Sequence, residues 1–130
     1  MMKRNCVVKN QSVSPSLSEL LASVYEQIEI HDFEKPRVES AKEISLIIAE
    51  IYASADIGYL KINGEMLPAK FVKDVFYRIT FEHVNCVIDN FKNQRKTIQN
   101  VKGYLRTALY NSVFEIDGRI TNDLKSAGVI

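Results

Sequence analysis

The chain has 130 residues, of which 46% are apolar and 25% charged, with five glycines, three prolines and a formal net charge of +1. That length suits one domain with a real core and is too short for a cofactor domain joined to a separate substrate domain. The composition excludes a disordered or fibrous chain, and no run approaches the roughly 18 consecutive apolar residues of a membrane-spanning helix.

Residues 1–13 are rich in Asn, Gln, Ser and Lys and show no sustained periodicity, so a disordered arm or linker remnant is expected there. Val7 and Val8 are too short an apolar core for a secretory signal, which points to a cytoplasmic protein. The folded domain is expected over residues 14–112. Ser16 and Glu19 have capping-box spacing, and Leu17, Leu20, Leu21, Val24, Tyr25 and Ile28 then share one face of a helix over about 16–28. After a charged connection, Pro36 suits the first turn of a second helix. Its stripe of Val38, Ala41, Ile44, Ile47, Ile48, Ile51 and Tyr52 runs to about Ser54 and reads as core.

Two short strand-like runs surround Asn63-Gly64, the pair that most readily supplies two left-handed residues to a tight hairpin turn. A hairpin over 59–67 is therefore expected, packed on the helices or acting as a β-wing, because two strands alone are marginal. Pro68 restarts helix, with Phe71, Val72, Val75, Phe76 and Ile79 on the buried side and Lys70, Lys73, Asp74 and Arg78 towards water. Thr80 caps a fourth helix with the stripe Val84, Val87, Ile88 and Phe91. A polar link over 93–97 precedes Asn100, which caps a fifth helix through Val101, Tyr104, Leu105, Ala108 and Leu109 ending near Asn111 or Ser112. Residues 113–130 read as a tail with a weak helical pattern at Ile120 and Leu124. The fold class is thus mostly α (α+β), about five helices with one β-hairpin between helices two and three.

Enzymatic constellations are missing. There is no phosphate loop, dinucleotide fingerprint, zinc-protease helix or nucleophile elbow in the sequence. His83 and Cys86 lie three residues apart, but two ligands do not make a zinc site, and His83 reads as a helix-surface residue beside a packed thiol. Cys6 and Cys86 give no disulfide framework. The acids Glu39, Glu43 and Glu50 are explained by solvation and pairing with Lys42 or Arg37. The expectation is a protein that is not an enzyme, with no cofactor and no metal.

Charge is unevenly distributed. Residues 19–50 hold eight acids against three bases, net −5, whereas residues 90–114 hold Lys92, Arg95, Lys96, Lys102 and Arg106 and no acid. Cations on an ordered helical scaffold suit a polyanion. In the fifth helix Lys102 and Arg106 are one turn apart on one face, with Leu105 and Leu109 elsewhere. Phe91 and Tyr104 among these cations either stack on unpaired bases or pack as core aromatics under a basic face.

The run 62–73, Ile-Asn-Gly-Glu-Met-Leu-Pro-Ala-Lys-Phe-Val-Lys, then Glu82-His83-Val84, then Val101-Lys102-Gly103-Tyr104-Leu105-Arg106-Thr107-Ala108-Leu109-Tyr110-Asn111, resembles the C-terminal domain of the plasmid and mobile-element replication initiator proteins of Firmicutes. The resemblance covers roughly residues 22–112, and the closing block is also similar to the last helix of the DnaD-like primosome proteins, whose helical domain is associated with DNA and with helicase loading. It implies a DnaD-like, non-enzymatic module of replication initiation that binds a host replication initiation or primosome protein, DNA without sequence specificity, or both. The residues it would use are Lys92, Arg95, Lys96, Lys102 and Arg106, with Tyr104 at the aromatic position of the DnaD-type motif. The alternative is a protein–protein interaction or homodimerisation module without nucleic-acid contact, in which the acidic first half of one copy meets the basic helix of another.

Overall fold

Ser16 opens the fold with the capping box its spacing announces: the Glu19 amide donates to Ser16 Oγ at 3.2 Å, and the Ser16 amide donates back to Glu19 Oε1 at 2.9 Å. That hydrogen bond from Ser16 holds the Glu19 carboxyl below its usual range. The computed structural model describes residues 15–94 and 99–126; the expected arm over 1–13, and Arg95 and Lys96 in the link before the fifth helix, lie outside the described residues.

From the cap, α1 spans Leu17–Gln27, and a short 3₁₀ turn at Ile30–Asp32 leads into α2, Lys35–Tyr52, with Pro36 in its first turn. Strands β1 (Tyr59–Ile62) and β2 (Glu65–Pro68) pair antiparallel with Leu60 opposite Leu67 and Lys61 opposite Met66. Asn63 and Gly64 take φ of +55° and +82°, the left-handed pair a two-residue turn requires. Helices α3 (Ala69–Phe76), α4 (Phe81–Gln94) and α5 (Val101–Ser126) follow. The described residues thus form a mostly α, α+β fold of five helices with the hairpin between the second and third.

Helix α2 is the axis of the core: it touches all four other helices and buries Ile44, Ile47, Ile48 and Ile51. Val24 and Ile28 pack on it from the first helical segment, Val72 and Phe76 from α3, Val84 and Ile88 from α4, and Leu105 and Leu109 from α5. The hairpin lies against α3 and α5 and drives Ile62 into the same core. One polar knot crosses these layers. The Gln27 side-chain amide donates to the carbonyls of Phe76 and Ile79, both at 2.9 Å, while its oxygen accepts from the Tyr52 hydroxyl at 2.7 Å. The end of α3 and the turn after it are thereby tied to the first two helices, and burial pushes the Tyr52 hydroxyl well above the usual phenol range.

Several expectations are corrected. The fifth helix does not end near Ser112 but continues to Ser126, and Val113 and Ile116 are buried, so the domain extends into the segment read as a tail. Ser112 breaks the apolar pattern without breaking the helix because its hydroxyl donates to the Leu109 carbonyl at 2.7 Å. Lys73 is buried instead of facing water, with Nζ held by the Ser54 carbonyl and by Asp56 at 2.7 Å. Phe71, read as buried, is 46% exposed. His83 is buried, not on the surface: its Nδ1 accepts from the Thr80 amide at 2.9 Å at the start of α4. Arg37 pairs across to α4, with Asn85 and Asp89, not with its own helix's acids. Among the described residues no helix is long and apolar enough to cross a membrane.

Candidate functional site

The N-terminus of α5 is built by Asn100, whose Oδ1 accepts from the Gly103 amide at 3.0 Å and whose carbonyl accepts from the Tyr104 amide at 2.9 Å. A Cβ at position 103 would lie 2.5 Å from the Asn100 side-chain nitrogen Nδ2, so any other residue there would make the Asn100 side chain shift. Burying Leu105 and Leu109 in the core turns Lys102 and Arg106 to the other side of the helix, as their spacing requires.

The hairpin supplies the opposite wall. The Asn63 amide at its tip donates to Thr107 Oγ1 at 2.9 Å, which locks the turn onto the first turns of α5. Between them lies a cleft of about 330 Å³, with Lys61, Asn63 and Gly64 on the hairpin side and Asn100, Lys102, Gly103, Arg106 and Thr107 on the helix side. Three cations and a helix N-terminus converge there. The macrodipole at that terminus favours an anion.

Two features set the cleft's charge balance. Lys102 Nζ lies 2.8 Å from Glu50 Oε1, so one carboxylate from α2 already reaches its rim. Arg106 Nε is buried and has no hydrogen-bond partner among the described residues, an expensive state for a guanidinium nitrogen unless a ligand completes it.

The residues expected to act together are divided by the structure. Lys102 and Arg106 share the cleft; Lys92 is exposed on the last turn of α4, and it does not line the cleft. Tyr104 turns inward, its ring 5.9 Å from that of Phe91, and both pack on the core. Of the two readings open for this pair, the core aromatic is the one observed. Lys61 was missed. The strand alternation that places it on the outward face with Tyr59 was legible, but the docking of the turn onto α5 is not a local signal.

A second set of rings is exposed instead. Phe71 of α3 meets Tyr110 of α5 edge-on at 6.4 Å, and Tyr110 meets Phe114 at 5.2 Å. Phe71 and Phe114 are 46% and 45% exposed. Partial burial, with the nearby Glu65 carboxylate, raises the Tyr110 hydroxyl above its usual range. A wider groove of about 920 Å³ runs between the first helices, walled by Tyr25, Ile30, Phe33 and Val38 and lined also by Glu26, Glu29 and Asp32 together with Lys35 and Lys42. Among the described residues no group of three or more His, Cys, Asp or Glu could hold a metal.

No curated protein and no solved structure matches the chain. One family model does, over residues 16–126, from the α1 cap to the last residue of α5. That span takes in the whole described fold, the cleft included, and by it the chain belongs to DUF6017, a family of unknown function.

Proposed function

We propose that this chain is a non-enzymatic module of plasmid or mobile-element DNA replication initiation, acting in the cytoplasm and holding the DNA backbone in the cleft between the hairpin and α5. The observation that carries this reading is the convergence of Lys61, Lys102 and Arg106 with the N-terminus of α5 on one opening. Ammonium and guanidinium groups donate to phosphate oxygens, and contacts made to phosphate carry no sequence information, so the binding is non-sequence-specific. The resemblance of residues 62–111 to initiator C-terminal domains supports the replication context and a host initiation or primosome protein as second partner.

The test is the salt dependence of DNA binding. Replacing Lys61, Lys102 and Arg106 singly by Ala lowers affinity about equally for unrelated sequences, and each replacement flattens the plot of log affinity against log salt by roughly one unit. An unchanged slope in all three variants rejects the phosphate role.

The Lys102–Glu50 pair supports a second reading, because it shows that this rim accepts a carboxylate. An acidic surface of another protein, or of a second copy through its Glu26, Glu29 and Asp32, would bind there in the same way. Self-association at low salt that dissolves at high salt, with no DNA shift, would select this reading over the first.

A further inference from the structure

We propose that the DNA held here is single-stranded, with the phosphates in the cleft and the bases stacked along the ring row Phe71, Tyr110 and Phe114. This rests on the reading of the cleft as a phosphate site and adds the form of DNA it takes.

The argument begins with spacing on α5. Lys102, Arg106, Tyr110 and Phe114 follow one another at four-residue steps, each about 6 Å further along the axis. Side chains at that spacing are neighbours on a helix surface, so the cationic half of the stripe passes directly into an aromatic half. The aromatic half is widened by Phe71, which reaches Tyr110 from α3. Phe71 and Phe114 leave nearly half their surface in solvent, while Phe91 and Tyr104 are committed to the core and to each other.

Charge selects the occupant. An apolar strip alone would suit many partners, but one continuous with Lys102, Arg106 and Lys61 suits a polyanion that also carries planar apolar groups. A single strand has both, since every unpaired base offers a face to an aromatic ring. A duplex keeps those faces inside its own stack. Glu65 beside Tyr110 sharpens the division, because its carboxylate repels phosphate from the aromatic half and leaves that half to the uncharged base.

The experiment compares three fluorescently labelled ligands of equal length, an oligothymidylate, the corresponding abasic strand and a blunt duplex, by anisotropy titration at several salt concentrations. The wild-type chain should bind oligothymidylate roughly tenfold or more tightly than either of the others. Phe114→Ala and Phe71→Ala should each erase most of that advantage with the salt slope unchanged, and Phe114→Tyr should keep it. Equal binding of all three ligands by the wild type, or a loss in Phe114→Ala that is the same for all three, overturns the single-strand inference and leaves the phosphate reading standing. No binding of any ligand by the folded wild type overturns both. Thermal melts establish that the variants fold; should one fail, the other and the wild-type comparison decide.

Discussion

Lys73 and Asp56 show how one residue can defeat helical periodicity. Lys73 sits where the pattern of α3 places a solvent-facing side chain, yet it is 8% exposed, because the loop after α2 folds back to offer it the Ser54 carbonyl and the Asp56 carboxylate. A buried ammonium persists only with such partners. The hydrogen bond and charge of Lys73 hold the Asp56 carboxyl below the usual carboxylate range. A carboxyl lowered in the folded state adds stability that is present above its unfolded value and is lost as pH falls through the folded one. Urea melts of Asp56→Asn against wild type should therefore show a deficit at neutral pH that shrinks in acid. Lys73→Met, which strands the Ser54 carbonyl, should cost about 1–3 kcal/mol at neutral pH. Equal stability of Asp56→Asn and wild type at neutral pH would dismiss the pair. Nothing in the sequence marks Lys73 for burial, since its partners lie 17 and 19 residues away and meet it only through the tertiary fold.

Elements were legible where periodicity was uninterrupted and a cap marked the end. The Ser16 capping box, the isoleucine stripe of α2, the Asn63-Gly64 turn and the Asn100 cap all lie where the sequence puts them. The end of α5 was misread because Ser112 and Gly118 look like terminators on a pattern of apolar residues alone. A hydroxyl that bonds its own helix, and a stripe resuming at Val113 and Ile116, carry the helix through. The consequence is energetic. Ending the chain at Ser112 removes two buried branched side chains, which together contribute about 3 kcal/mol or more, a large share of the roughly 5–15 kcal/mol typical of a domain. A thermal melt of the truncated chain should show a strongly lowered midpoint or no cooperative transition. A midpoint equal to the wild type's would mean that the second half of α5 is ornament.

At the scale of the whole molecule the segregation of charge was visible in the sequence, but its meeting point was not. The acidic stretch 19–50 and the basic stretch 90–114 touch at Glu50 and Lys102, one on α2 and the other on α5. A phosphate that takes Lys102 must displace that carboxylate. Glu50→Gln removes the competitor and should tighten DNA binding several-fold at low salt, the gain fading as salt screens the pair; weaker binding would show that Glu50 positions Lys102 instead of opposing the ligand. Of the five expected cations, Lys102 and Arg106 share the cleft, Lys92 does not line it, and Arg95 and Lys96 lie outside the described residues; the cleft's third cation, Lys61, comes from the hairpin, whose tip is fastened to Thr107 by one amide. That fastening makes the cleft a property of tertiary structure. An isolated peptide of α5 would keep two of its three cations and lose the opposing wall, so the grip on a ligand lasts only while the hairpin stays seated, and a change that lifts the turn disarms the surface without touching a single charge.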